Sequence, residues 1–245
     1  GFLACLLRGA LIIPHAVFEV DAVLARIDAL GVTALPGPPT IYLSILDHPH
    51  RSSYDLSSLR LAVTGAAAVP VEMIRRMRSE LSFSTILTAY GLTESTGTVT
   101  MCRPEDDADT ISRTSGRAIT GVEVRIVDDE NRPVNTGHAG EIVCRGYNVM
   151  PGYFENPNAT AEVIDTDGWL HTGDIGVLDE RGYLSITDRK KDMFIVGGFN
   201  AYPAEIENQM MDHPAISRVA VIGRPHERLG EVAHAFVVAR ADSTP

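Results

Sequence analysis

The chain has 245 residues, 44% of them hydrophobic and 22% charged, which is apolar enough to bury a sizeable core and too apolar for intrinsic disorder. Twenty-one Lys and Arg against 32 Asp and Glu leave a net charge of -11, a field that repels polyanions and offers no footprint for nucleic acid or an anionic membrane. Cys5, Cys102 and Cys144 lie far apart without paired spacing, which fits neither a disulfide framework nor a zinc site and points to a reducing, cytoplasmic setting.

The opening GFLACLLRGALII resembles a signal-peptide core, but Arg8 interrupts it, no basic segment precedes it and no run reaches bilayer-spanning length; it is expected to be an internal core segment, and no transmembrane segment is predicted. Leu24, Ile27 and Leu30 fall at helical spacing behind Asp21, a candidate cap, and Val32 to Leu35 leads as a strand into the turn PGPP. LRLAVTG reads as a buried strand, Pro70 opens the helix VEMIRRMRSEL, and STILTAY is a second strand. Strand, helix, strand with short joints predicts a parallel crossover.

Beyond about residue 115 the pattern alternates: VEVRIVD and GEIVCRG flank the turn-rich DENRPVNTGHAG, and IGVL and YLSIT flank DERG. An antiparallel subdomain is expected there. After Arg189-Lys190-Lys191 come strand MFIV, the turn GGFNAY, a helix from Pro203, and strands ISRVAVIG and HAFVVA, the pattern of a small α+β module. Residues 189 to 245 carry seven basic and seven acidic side chains, so all of the net charge lies on the first 188. The boundary is therefore drawn at 188/189.

Three segments could carry chemistry. Tyr90-Gly91-Leu92-Thr93-Glu94-Ser95-Thr96-Gly97 packs an aromatic ring, two glycines, three hydroxyls and one carboxylate into eight positions after a strand. Such a loop can approach a nucleotide closely, bond phosphate oxygens, hold Mg²⁺ and offer a stacking plane, although Gly, Ser and Thr are also ordinary turn residues. Gly168-Trp169-Leu170-His171-Thr172-Gly173-Asp174 holds the single tryptophan. Asp174 has two acceptor oxygens for a ribose diol, or it is a turn aspartate bonding its own backbone as it opens a hairpin. Asp188-Arg189-Lys190-Lys191-Asp192 reads alone as a solvated linker, and Gly197-Gly198 as a turn.

Together YGLTE, GWLHTGD and DRKKDMFIVGGFNAYPAEIE, with TGAAAVP ahead of them, resemble in order and separation the signature segments of the adenylate-forming superfamily of acyl-CoA synthetases, luciferases and peptide-synthetase adenylation domains. The likeness covers essentially the whole chain. It implies an α/β fold: the back part of a large AMP-binding domain at residues 1–188, with parallel βαβ units and an antiparallel β subdomain, then the start of a small mobile α+β domain at 189–245. It also implies an ATP-dependent ligase that forms an acyl-adenylate with release of pyrophosphate. The small domain then rotates, and CoA displaces AMP.

By that resemblance Gly65, Ala66 and Ala67 line the adenine, Tyr90 stacks on it, and Gly91 belongs to the same nucleotide loop. Ala68 departs from the proline often found there. Thr93 holds phosphate, Glu94 holds Mg²⁺, and Asp174 takes the ribose hydroxyls with Arg189 nearby. Lys191 is the hinge, and Gly198 meets the pantetheine arm of CoA. The expected partners are a small carboxylic acid, ATP and CoA. The family's Pro-Lys-Gly phosphate loop, an aromatic gate and an adenylation lysine do not occur in the 245 residues, so the chain alone is not expected to form an adenylate. YNVMPGYFENPNATAEVI and FIVGGFNAYPAEIE look most like bacterial acyl-CoA synthetases of the fatty-acid type, including those acting on ring-bearing propanoates in steroid breakdown. An acyl-AMP ligase, a peptide-synthetase adenylation domain and a non-catalytic nucleotide-binding relative are the alternatives.

Overall fold

The computed structural model describes residues 2–65, 69–189, 192–196, 199–226 and 228–240. They divide into two compact units, one formed by residues 1–91 and 97–119 and the other by 92–96 and 120–245.

The first unit is a mixed α/β layer. In chain order it contains α1 (Phe2–Leu7), α2 (Val20–Leu30), β1 (Ala34–Pro36), α3 (Pro39–Leu46), β2 (Leu61–Gly65), α4 (Val71–Glu80), β3 (Thr85–Tyr90), β4 (Thr100–Met101), α5 (Ala108–Arg113) and β5 (Arg117–Ala118). The strands lie in the order β1-β2-β3-β4-β5. β1, β2 and β3 pair in parallel, and β4 and β5 close the sheet antiparallel. The expected crossover is thus realised through α4, which buries Met73, Ile74 and Met77 on one stripe, exposes Arg75 and leaves Arg76 and Arg78 half-buried. Pro36 sits in β1, an edge strand, where the missing N–H leaves no ladder bond unmade.

Leu24 and Ile27 from α2, Tyr42 and Ile45 from α3, Ile111 from α5 and Phe83 and Ile86 around β3 share this core. Tyr42 is fully buried, so its hydroxyl needs partners; it donates to the carbonyls of Leu35 (2.5 Å) and Val63 (3.2 Å) and ties α3 to two strands. Burial raises its pKa.

Two readings of this region are corrected. The apolar N-terminal segment is not buried among the described residues: Leu3, Leu6 and Leu7 of the six-residue α1, and Leu11 after it, are exposed, with no facing layer there to cover them. Nor does Asp21 cap α2. Glu19 occupies the cap position, and Asp21 lies in the first turn, where its carboxylate meets His48 at 3.2 Å and Tyr54 at 3.3 Å. α3 and α5 were not anticipated. PGPP read as a turn although Pro39 stands at a helix start, where proline costs no hydrogen bond, and Asp107 caps α5 by accepting the Thr110 N–H.

Gly116, at φ +79, is the tightest glycine of this unit: a Cβ there would lie 1.9 Å from the Met101 carbonyl carbon and 2.1 Å from Cys102 N. Gly31 has a similar left-handed φ of +60 and open space around it. Gly31→Ala is expected to cost only the backbone penalty of about 1 kcal/mol, whereas Gly116→Ala, which must displace main chain, is expected to cost more than about 3 kcal/mol. Urea unfolding of the two variants side by side checks the difference.

The second unit holds two sheets. β6 (Val122–Val127), β7 (Gly140–Gly146), β8 (Leu170–Leu178) and β9 (Leu184–Arg189) form an antiparallel meander in that order, with α6 (Pro157–Val163) inserted between β7 and β8. The other sheet is built from β10 (Phe194–Val196), β11 (Phe199–Ala201), β12 (Ile216–His226) and β13 (Gly230–Ala239) in the order β11-β10-β13-β12, with α7 (Pro203–Met211) packed on β12. The segment read as the turn GGFNAY therefore contributes a strand, β11, paired with β10. The last residue of β9, Arg189, separates the two sheets in sequence, and the buried Asp188 beside it accepts the Ala204 N–H at the start of α7 (2.9 Å).

A candidate nucleotide site

Two short segments, the turn after β3 and the bulged start of β8, hold the described polar candidates. β3 ends at the buried residue Tyr90, 9% exposed. Gly91 must be glycine on packing grounds: a Cβ would lie 2.6 Å from the Gly97 carbonyl carbon. The chain then makes a single 3₁₀ turn over Thr93–Ser95. The fully buried Ser95 holds it shut, its hydroxyl bonding both the Leu92 N–H and the Leu92 carbonyl at 3.0 Å. Thr96 at φ +56 and Gly97 at φ +83 reverse the chain into β4. The result exposes Thr93 and half-exposes Glu94. Gly65, one strand away at the end of β2, would put a Cβ 2.5 Å from the Ala89 carbonyl oxygen, so close strand pairing by itself requires glycine there.

Asp174 opens the β8–β9 hairpin, as expected, being the first residue of β8 to pair with β9. It lies inside β8, where Thr172, Gly173 and Asp174 face the single residue Ile142 of β7, because the register shifts between Glu141 and Val143. Such a bulge re-aims side chains away from the regular pleat. Gly173 supplies the positive φ of +71. Three bonds fix the bulge: the Thr172 hydroxyl donates to the Ile142 carbonyl (2.7 Å), the Gly173 N–H to Glu141 Oε1 (3.1 Å), and the Asp174 N–H to Thr172 Oγ1 (3.1 Å). On its other side Asp174 is the register partner of Arg189 in β9. The hairpin turn belongs to Asp179, whose Oδ1 accepts the N–H groups of Arg181 (2.9 Å) and Tyr183 (2.8 Å). Burial works against that carboxylate, but these bonds outweigh it and hold its pKa below the ordinary value.

Trp169 serves as packing. It is buried against Val127 and Val143, with the guanidinium groups of Arg125 (4.3 Å) and Arg145 (4.6 Å) over its ring. Its N–H on the main chain joins that of Asp167 on Asp165 Oδ1. His171 stands between Glu141 (3.4 Å) and Asp165 (3.7 Å), so the same cluster that positions Gly173 also engages the histidine.

Of the residues singled out in sequence, Thr93 and Glu94 share one turn, and Asp174 and Arg189 share one register pair. Ala66, Ala67, Lys191 and Gly198 lie outside the described residues. Two residues were missed. Tyr153 donates its hydroxyl to Glu94 Oε1 at 2.9 Å, and the buried Asn148 bonds the same turn. Both stand in the segment YNVMPGY, which was read from the sequence as a mark of the acyl-CoA synthetase branch and not as part of the site.

The profile of the AMP-binding enzyme family matches residues 1–154, and that of the AMP-binding enzyme C-terminal domain matches 205–245. The chain belongs to the AMP-binding enzyme family. It is 58% identical over its whole length to a 3-[(3aS,4S,7aS)-7a-methyl-1,5-dioxo-octahydro-1H-inden-4-yl]propanoyl:CoA ligase of Rhodococcus jostii, covering 45% of that protein. It is 42% identical over 96% of its length to a feruloyl-CoA synthase of Amycolatopsis, covering 47% of it. Among solved structures it superposes on the o-succinylbenzoate CoA synthetase of Bacillus subtilis in complex with its acyl-adenylate intermediate with a TM-score of 0.86, at 30% identity, over 99% of this chain and 48% of that one. The chain thus spans somewhat under half the length of these AMP-binding enzymes. Among its described residues no helix is long and apolar enough to cross a membrane.

Proposed function

We propose that this chain is part of an AMP-forming carboxylic acid-CoA ligase. In the first step a carboxylate oxygen attacks the α-phosphorus of ATP and pyrophosphate leaves; in the second the CoA thiolate attacks the acyl carbon and the C–O bond to AMP breaks. The observation that carries the reading is the pairing of an exposed hydroxyl and a half-exposed carboxylate, Thr93 and Glu94, on one rigid turn, in a chain 58% identical to an acyl-CoA ligase. Thr93 then bonds a phosphate oxygen. Among the described residues no three His, Cys, Asp or Glu gather into a metal cage. A lone carboxylate suits Mg²⁺, which is commonly held by one or two protein carboxylates together with waters and substrate phosphates. When bound, Mg²⁺ neutralises charge developing toward pyrophosphate.

Asp174, aimed by its bulge, is the proposed ribose ligand, with Arg189 beside it. Gly65, Ala66, Ala67, Tyr90 and Gly91 are assigned to the adenine side. The small module from residue 189 is proposed to swing on Lys191 and bring Gly198 to the pantetheine arm. The acid is proposed to be a bulky ring-bearing propanoate, because relatives of that specificity are 56% and 58% identical, whereas a long-chain fatty-acid ligase of Escherichia coli is 42% identical.

Asp174→Ala, in a full-length enzyme carrying this chain, is the experiment. Charge-assisted hydrogen bonds contribute about 1.5 to 3 kcal/mol each, so the apparent KM for ATP should rise about tenfold to a hundredfold with a smaller loss of kcat. Steady-state ATP titration reads both. An unchanged KM would return Asp174 to a purely structural part in the bulge.

A further inference from the structure

The segment after β7 folds back onto the turn that carries Glu94. The Met150 N–H donates to the Glu94 carbonyl (2.8 Å), the Thr96 hydroxyl to the Asn148 carbonyl (2.7 Å), and the Asn148 side-chain amide to the Ser95 carbonyl (3.4 Å). None of these bonds involves the side chain at position 94. The bond from the Tyr153 hydroxyl to Glu94 Oε1, at 2.9 Å, does. Among the described residues Oε2 carries no hydrogen bond.

Tyr153 is itself held from behind. Its N–H donates to Thr160 Oγ1 on α6 (2.9 Å), the Thr160 hydroxyl donates to the Asn156 carbonyl (2.9 Å), and Asn156 Oδ1 caps α6 by accepting the Ala159 N–H (3.1 Å). Gly152 permits the close approach: its φ is +149, and a Cβ there would lie 2.9 Å from both Cγ2 and Oγ1 of Thr160. A stiff ring on a helix-anchored base thus delivers a hydroxyl to one oxygen of a flexible glutamate. Donation to the Glu94 carboxylate raises the Tyr153 phenol above its ordinary pKa.

Unrestrained, a half-exposed glutamate samples several rotamers, and each metal-binding event must freeze them. Residues that hydrogen-bond a ligating carboxylate fix its orientation and tune its affinity for the metal. We infer that Tyr153 is a positioning residue for Glu94, engaging Oε1 so that Oε2 is the oxygen offered to a divalent cation. The inference rests on the proposed reading of Glu94 as the metal carboxylate.

The test measures Mn²⁺ affinity of the full-length enzyme bound to ATP, by electron paramagnetic resonance, with acid and CoA omitted. Tyr153→Phe, Glu94→Gln and the double variant are compared, each with its melting temperature and its metal-free ATP affinity. Both single variants should bind Mn²⁺ about tenfold more weakly, the double variant no more weakly than Glu94→Gln, and the two control readings should not move. Weak binding by Glu94→Gln with normal binding by Tyr153→Phe would overturn the positioning role and leave Glu94 as the metal carboxylate. So would additive losses, a drop in melting temperature that accounts for the effect, or tighter binding by Tyr153→Phe, which would make the hydroxyl a competitor of the cation. Normal binding by Glu94→Gln would overturn both readings.

Discussion

Replacing Lys191 by proline in a full-length enzyme carrying this chain is expected to leave acid-dependent pyrophosphate exchange nearly intact and to cut CoA-dependent thioester formation by about a hundredfold or more. Proline fixes φ near -65° and restricts the residue before it, and a penalty of about 3 kcal/mol on a required backbone state corresponds to that loss. Strands flank the proposed joint on either side. β9 ends at Arg189, held in register by Asp174, and the next sheet begins at Phe194. The adenylation residues proposed above, Thr93, Glu94 and Asp174, all precede the joint, whereas Gly198 follows it, so a blocked rotation should spare the first half-reaction and stop the second. Exchange and CoA-dependent AMP release, measured on one preparation, separate the outcomes. Equal loss of both would mean that Lys191 touches the nucleotide or that the joint unfolds, and near-normal values for both would return the basic run to a solvated linker.

Glu94→Gln is expected to lower turnover about a hundredfold, the scale found when one group stabilising developing charge is removed, and to raise the Mg²⁺ concentration needed for half-maximal rate. Glutamine keeps the shape of the side chain, and its amide oxygen can still accept from Tyr153. The Met150 bond to the Glu94 carbonyl is made by main chain and is untouched. The fold of the turn should therefore survive, and the loss should fall on kcat more than on the KM for ATP, because the metal acts on charge that appears in the transition state. Pyrophosphate exchange rates across a Mg²⁺ series, with a melting curve for each protein, read the effect. Unchanged turnover would remove Glu94 from the metal.

Much of this architecture was legible in the sequence, and the exceptions have physical causes. β2 and β3 were readable as short, mostly apolar segments in which every second residue is buried, and α4 carries its stripe at helical spacing behind Pro70. α7 was readable from Pro203 at its first position. α3 was hidden by PGPP, since a proline signals a turn and a helix start equally well. The exposed leucines of α1 mislead any reading by hydrophobicity, which reports a tendency to be covered and not the presence of a covering surface.

The candidate site was legible as residue types and only partly as geometry. Glu94 and Asp174 stood out as carboxylates among glycines and hydroxyls, yet the bulge that turns Asp174 out of the β8 pleat depends on Glu141 and Ile142, thirty residues away in sequence. Tyr153 and Asn148 lie more than fifty residues from the turn they hold. Contacts of that span leave no periodicity to read.

The central claim is that a carboxylate oxygen attacks the α-phosphorus of ATP in the enzyme to which this chain belongs. It is tested most directly by turnover of a ring-bearing propanoic acid labelled with ¹⁸O in its carboxyl group, followed by mass spectrometry of the released nucleotide. The account predicts AMP carrying one ¹⁸O in its phosphate, formed with unlabelled pyrophosphate and an acyl-CoA. Release of ADP with ¹⁸O in inorganic phosphate, or AMP without label, would contradict it.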